Sequence, residues 1–226
     1  MDLLTLLLLM FWYILPAYAA NGLAVIFGRG NQFNAPLDLG KNFIDGKRIF
    51  GEGKTVRGFV GGVATGTAAG VAQSIAGETL GAPILLFSPQ SAFLMIVVST
   101  LSPENVVYLV TINALLFTPI YFALLGYPST IKEVIFPSII KGFLLSLGAL
   151  TGDLIGSFIK RRLNISRGYP APGLDQLDFV AGAIILSSII YVPPFELILT
   201  AVIITPLVHL AANIVGYALH LKKEPW

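Results

Sequence analysis

DLLTLLLLMFWYILPAYAANGLAVIF, residues 2–27, holds one charged residue, Asp2, at its start and no further Asp, Glu, Lys, Arg or His. A transmembrane helix needs about 20 mostly apolar residues, and this run supplies them without interruption. It does not alternate with a period of two, so it reads as a helix and not as a barrel strand. Similar runs occupy 57–80, 84–101, 105–126, 134–158, 179–193 and 196–219. The pairs 84–101/105–126 and 179–193/196–219 are parted only by Ser102-Pro103-Glu104 and Pro193-Pro194-Phe195, so each pair is a hairpin or a partly re-entrant segment. The expected fold class is all-α, a polytopic integral membrane helical bundle of 5–7 transmembrane helices with two polar cytoplasmic loops.

Composition excludes a soluble domain: 55% of the residues are hydrophobic, 12% are charged, and the mean hydropathy is +0.82. The absence of cysteine excludes disulfides, thiolate metal sites and cysteine nucleophiles. Residues 3–15 followed by Ala17-Tyr18-Ala19 resemble a secretory h-region with a cleavage site. The preceding residues, however, carry Asp2 instead of a basic charge, and the apolar run continues to Phe27.

Charge placement says more than the net charge of +2. Arg29, Lys41, Lys47, Arg48, Lys54 and Arg57 cluster at 29–57, Lys160, Arg161, Arg162 and Arg167 at 160–167, and Lys222 and Lys223 near the end. Basic loops stay cytoplasmic, which puts these stretches inside the cell membrane and the N-terminus outside, and requires an odd number of spans. The chain then reads as one membrane domain, 1–226, with cytoplasmic loop one at 28–56, cytoplasmic loop two at 160–178, and an extra membrane hairpin at 82–133. Loop one has too many glycines, asparagines and prolines for a long helix, but Phe33, Leu37, Phe43, Ile44, Ile49 and Phe50 give it apolar material to pack.

Two glycine-punctuated cationic stretches carry the chemistry: GEGKTVRGFVGG at 51–62 and GDLIGSFIKRRLNISRGYPAPGLDQLD at 152–178. The first almost spells a phosphate-binding P-loop, but Arg48 stands where that motif needs its first glycine, and no sheet surrounds it. What remains is a flexible Gly53 ahead of Lys54-Thr55, a helix start, and Lys54 and Arg57 three apart, a set that suits an anion. The bland alternative is a cationic anchor flanking a span. In the second stretch Asp153, Ser157 and Lys160 fall on one helical stripe, with Asp153 about two turns inside the apolar boundary. An acid at that depth is a functional candidate, or else a structural partner of Lys160 or Arg161. Pro170-Ala171-Pro172-Gly173 re-aims the chain, and Asp175 and Asp178 follow three apart. Three carboxylates near one face suit Mg²⁺, a hard cation that takes oxygen ligands and keeps substrate phosphates in its shell. Asp178 alone would also serve as a helix N-terminal charge.

At these residues the chain resembles the membrane cytidylyltransferases of the CDP-diacylglycerol synthase family, and more closely their short archaeal branch that makes CDP-archaeol. Lys54-Thr55-Val56-Arg57-Gly58-Phe59-Val60-Gly61-Gly62 is similar to the family's GKTWxGFxGG segment. Gly152-Asp153, Ser157, Lys160-Arg161 and Pro172-Gly173 followed by Asp175 and Asp178 are similar to its C-terminal signature, and Asn21, Pro36, Asp38 and Lys41 to the archaeal branch's first span and loop. Val56 stands where the family usually has tryptophan. The glycine-histidine-glycine-glycine that bacterial members carry after the PG is absent, which favours the archaeal branch.

The resemblance implies transfer of the cytidylyl group of CTP to an isoprenoid glycerol-ether phosphate in the lipid bilayer, with pyrophosphate leaving. Asp153, Asp175 and Asp178 would bind Mg²⁺. Lys160 would join these aspartates in catalysis, and Lys54, Thr55, Arg57, Ser157, Arg161, Pro172 and Gly173 would hold the nucleotide and lipid phosphates. Phosphatidate as substrate, a polyprenol kinase and a membrane transporter are the competing readings; broken spans and a buried acid also mark ion pathways. No nucleic-acid partner is expected. Small membrane enzymes with extra helices can dimerise, so a homodimer is a further expectation. His209 and His220 lack a second ligand at metal spacing and read as structural.

Overall fold

A computed structural model describes residues 3–29, 34–86, 134, 138–218 and 220, with 75–86 described as backbone only. Five helices are formed among these residues: α1 (Leu3–Phe27), α2 (Val56–Leu86), α3 (Ile139–Arg162), α4 (Leu174–Ser187) and α5 (Phe195–Ala218). The described residues contain no strand, only two isolated β-bridges in loop one. By length and composition α1, α3 and α5 can each cross a membrane. At 14 residues, α4 reaches about 21 Å, short of a bilayer core. It joins α5 through Pro193-Pro194, the short-paired arrangement the sequence suggests. The runs at 84–101 and 105–126, and with them the hairpin at 82–133, lie outside the described residues except for 82–86, which complete α2. Loop two begins later than its basic residues suggest, because α3 continues through Lys160, Arg161 and Arg162, whose cations favour a helix C-terminus.

Pro16 sits inside α1 and cannot donate to the carbonyl one turn back, that of Trp12. The Gln73 amide of α2 donates to that carbonyl instead, so a neighbouring helix satisfies the group the proline frees. The core is built from Leu9, Met10, Tyr13, Ile14 and Ala17 of α1 with Leu145 and Ala149 of α3, Phe179, Val180 and Ala183 of α4, and Leu197 and Ala201 of α5. Two α1 tyrosines act as packing residues with a polar tip: Tyr13 shares a 2.7 Å hydrogen bond with Ser187 and Tyr18 one of 2.9 Å with Thr205.

Glycine sets how close the helices come. Gly148, Gly152 and Gly156 recur every four residues on α3 and face Gly182 and Asp178 of α4. A Cβ on Gly148 or Gly152 would overlap the α4 backbone, and one on Gly156 would overlap the Asp178 carboxylate. On α2, a Cβ at Gly62 would meet the Ala20 carbonyl of α1 at 2.7 Å, and one at Gly70 would meet Gly142 of α3 at 2.6 Å. Small residues at this spacing let membrane helices touch backbone to backbone. Much of the glycine that punctuates the sequence therefore serves helix contact.

Candidate functional site

Loop one closes back on the start of α2. Leu37 donates to the Lys54 carbonyl at 2.8 Å and Val56 to the Ala35 carbonyl at 3.0 Å. Asp38 is the hub. Its side chain, without solvent exposure, accepts from Arg48 at 2.7 and 3.2 Å, from the N–H of Gly51 at 2.8 Å, and from those of Phe50 and Gly40 at 3.1 Å. Burial by itself would raise the Asp38 pKa. The Arg48 guanidinium and the N–H groups of Gly51, Phe50 and Gly40 outweigh it and hold the carboxyl well below the usual carboxylate range. The loop is ordered by this polar hub more than by the apolar residues the sequence offers, since Ile44 is 95% exposed.

Thr55 caps α2: its hydroxyl accepts from the N–H of Gly58 at 3.1 Å. Lys54 thus lies just before the helix, in a bend, and its ammonium reaches across to Asp153 of α3 at 2.5 Å. At the start of α4, Gly173 takes φ of +83°, a conformation only glycine adopts readily, and the turn swings Asp175 back under loop two. Asp175 accepts from the N–H of Ala171 at 2.8 Å and pairs with Lys160 at 2.9 Å through both oxygens, while Lys160 also donates to the Tyr169 carbonyl at 2.8 Å.

Two cavities meet at these Lys–Asp pairs. The larger, about 710 Å³, runs among α1, α2 and α5 past Phe11, Tyr18, Ala24, Phe59, Val208 and Gly216 and is mostly apolar. The smaller, about 390 Å³, is lined by Arg48, Gly51, Glu52, Gly53, Ser157, Arg161 and Arg167. Lys54, Asp153, Lys160 and Asp175 belong to the walls of both. Arg161 Nε is buried without a hydrogen-bond partner among the described residues, a donor left unsatisfied beside the cationic cavity. An oily channel and a cationic chamber share one wall of alternating charge, which is what joining an apolar-tailed anion to a polar polyanion requires.

A family described as CarS-like, CDP-archaeol synthase, matches residues 3–104 and 107–226. The chain belongs to this family. A CDP-archaeol synthase of Methanocaldococcus jannaschii is 41% identical over 95% of this chain and 94% of its own. One of Pyrococcus abyssi is 39% identical over 96% of each, and one of Methanococcus maripaludis is 40% identical over the full length of both. A solved intramembrane enzyme for archaeal membrane lipids biosynthesis superposes with a TM-score of 0.56 at 31% identity, covering 90% of this chain and 92% of that one. The likeness to a solved intramembrane enzyme agrees with the membrane bundle read from composition.

Against the family signature, the structure brings Lys54, Asp153, Ser157, Lys160, Arg161 and Asp175 to the two cavities, and Thr55 lines the apolar one. Asp178 lines neither. It lies against Gly156 and accepts from the N–H of Phe179 at 2.6 Å, within electrostatic range of Asp153 and Asp175. Among the described residues no three carboxylates close into one ligand group, because Lys54 and Lys160 hold two of them separately. Arg57 is exposed and lines neither cavity: α2 begins between it and Lys54, so the two are not neighbours on one helical face. Pro172 and Gly173 are exposed and act by turning the chain. His209 packs its ring against Phe179, with centroids 6.3 Å apart, in the wall of the apolar cavity.

Sequence reasoning gave no site role to Arg48, Asp38, Arg162 or Arg167. Asp38 and Arg48 lie ten residues apart in a loop, outside any helix or strand, so their pairing follows no periodic pattern in the sequence. Arg162 is the third member of a basic triplet whose first two alone match the family signature.

Proposed function

We infer that the chain transfers the cytidylyl group of CTP to 2,3-di-O-geranylgeranylglycerol 1-phosphate, giving CDP-archaeol and pyrophosphate in ether phospholipid biosynthesis. The lipid phosphate oxygen forms the new bond to the α-phosphorus as the bond to the departing pyrophosphate breaks. The observation that carries this reading is the shared wall. Lys54–Asp153 and Lys160–Asp175 stand where an apolar cavity fit for isoprenoid chains meets a cationic one fit for a triphosphate. Family membership points the same way.

Little covalent chemistry is asked of the protein; positioning and charge neutralisation suffice in principle for such a transfer. Lys54 and Lys160, each now neutralised by an aspartate, are the cations on the shared wall, and would turn to the two reacting phosphates. Arg161, Arg167 and Ser157 would hold the rest of the triphosphate. A divalent cation, Mg²⁺ by its preference for hard oxygen donors, fits the chemistry of Asp153 and Asp175, with Asp178 nearby. When bound it would neutralise phosphate charge and orient both substrates. Lys54 and Lys160 would exchange their carboxylates for substrate phosphates, a change of partner that costs little because all four side chains are part-exposed, between 13% and 29%. The basic loops support a site on the cytoplasmic face of the cell membrane, with the N-terminus outside.

Turnover of the purified protein in detergent, with labelled CTP, Mg²⁺ and either the archaeal ether-lipid phosphate or phosphatidate, tests the reading. CDP-lipid and pyrophosphate formed with the ether lipid, and lost in Asp175→Asn, are expected. Preference for phosphatidate would reassign the substrate, release of CDP would indicate γ-phosphoryl transfer, and no turnover in folded protein would overturn the enzyme.

A further inference from the structure

The three basic residues that end α3 point to three different places. Lys160 reaches the shared wall and Arg161 the cationic cavity, but Arg162 faces loop one. Its guanidinium lies 3.5 Å from the ring centre of Phe158 and 4.7 Å from that of Phe43. Nη1 donates to the carbonyls of Arg48 at 3.0 Å and Ile49 at 3.2 Å, and Nε pairs with Asp45 at 3.3 Å. Lys47 returns the contact by donating to the Arg162 carbonyl at 2.9 Å. The described residues 34–55 of loop one form no helix, and among them Gly51 to Lys54 form one wall of the cationic cavity. Gly51 turns the chain into that wall at φ +99°, the left-handed region glycine adopts readily, with its N–H on Asp38 at 2.8 Å.

We propose that Arg162 is a positioning residue for the nucleotide: it clamps residues 43–49 to the end of α3 and so sets where Gly51, Gly53 and Lys54 stand in the cavity wall. The proposal rests on the cytidylyltransferase reading for its kinetic arm alone. The clamp needs a planar fork that can stack on Phe158 and Phe43 while donating to two carbonyls and a carboxylate. An ammonium has the charge but not that shape. Arg162→Lys is therefore expected to behave as Arg162→Ala does.

For both variants the KM for CTP is expected to rise about tenfold while kcat changes less than about threefold, the pattern of lost binding rather than lost transition-state contact. Amide hydrogen exchange in residues 42–51 is expected to quicken, with α3 and α4 unchanged. Phe43→Ala, which removes one stacking face and no charge, carries the same expectation at smaller size if Arg162→Ala fails to fold. Wild-type KM in the lysine variant would overturn the clamp, since charge would then suffice. Unchanged exchange in the loop would overturn it too, as would faster exchange throughout the bundle, which would make Arg162 a general stability residue. If the wild-type protein turns over no CTP, the enzyme reading fails, and the exchange measurement alone decides the clamp.

Discussion

Asp38 and Asp153 each pair with a cation, yet their surroundings differ in every respect that matters. The Asp38 side chain has no solvent exposure and receives hydrogen bonds from Arg48 and three backbone N–H groups, so its acceptor capacity is used up by loop one itself. Asp153 is 26% exposed, has one lysine for a partner and borders two cavities; Asp175 is 25% exposed, borders the same cavities and accepts from the Ala171 N–H beside its lysine. A saturated, dry carboxylate shapes backbone, whereas a part-wet one held by a single mobile ammonium can change partner when a phosphate or cation arrives. The same residue type thus builds loop backbone in one place and borders the cavities in the other.

The comparison is most exposed to failure at the shared wall. Asp153→Asn and Lys54→Met are expected to lower CDP-lipid formation by about a thousandfold or more while leaving helical content by circular dichroism unchanged, since transition-state charge is lost but no core packing is. Activity within about tenfold of wild type in either variant would make the wall structural and erase the distinction from Asp38.

The wall also depends on the close approach of α3 and α4. Gly152→Val sets a branched side chain against the Asp178 backbone and is expected to destabilise the bundle by about 1–3 kcal/mol through overpacking, read as a lower detergent melting temperature together with lost turnover. An unaltered melt would mean that the helices can part without cost.

Asp38→Asn keeps the size but removes the charge that Arg48 and the N–H groups of Phe50 and Gly51 address. An increase of about tenfold in the KM for CTP with a near-normal kcat is expected, because a displaced wall weakens binding before it alters the reacting groups. A kcat loss as large as that of Asp153→Asn would place Asp38 with the exchangeable carboxylates.

The smallest expected effect is in pH. Asp38 is held below its unfolded value of about 3.9, so its contribution to loop order is fully present above that value and is lost as pH falls from there through the lowered native one. Hydrogen exchange in loop one, corrected for its intrinsic pH dependence, should stay flat from pH 8 to about 5 and quicken only below about 4. Protection that did not fall below about pH 4 would show a carboxyl that is not lowered, and so a hub less saturated than its hydrogen bonds indicate.

The membrane class, the helices and the two polar stretches were legible because each rests on a property of consecutive residues. Apolar length declares a span, and Gly173 with Asp175 declares a helix start. What was misread is as informative. Glycines taken as punctuation around a phosphate site turned out to be contact points between helices, a role that depends on which neighbour faces them. Arg57 looked equivalent to Lys54 by spacing, but the cap at Thr55 starts α2 between them and sends them apart.

The sequence by itself determined that this is a helical membrane protein with cationic, aspartate-bearing loops similar to those of a lipid-phosphate cytidylyltransferase, because hydropathy and motif spacing are local properties. Only the tertiary structure decided that Lys54 meets Asp153, that Lys160 meets Asp175 fifteen residues away through a turn at Gly173, and that Arg162 holds loop one while Arg161 beside it faces the cavity. Those pairings join residues up to 117 positions apart, and ion pairs and stacked rings are set by where packed helices bring their ends together, a relation no window of sequence contains.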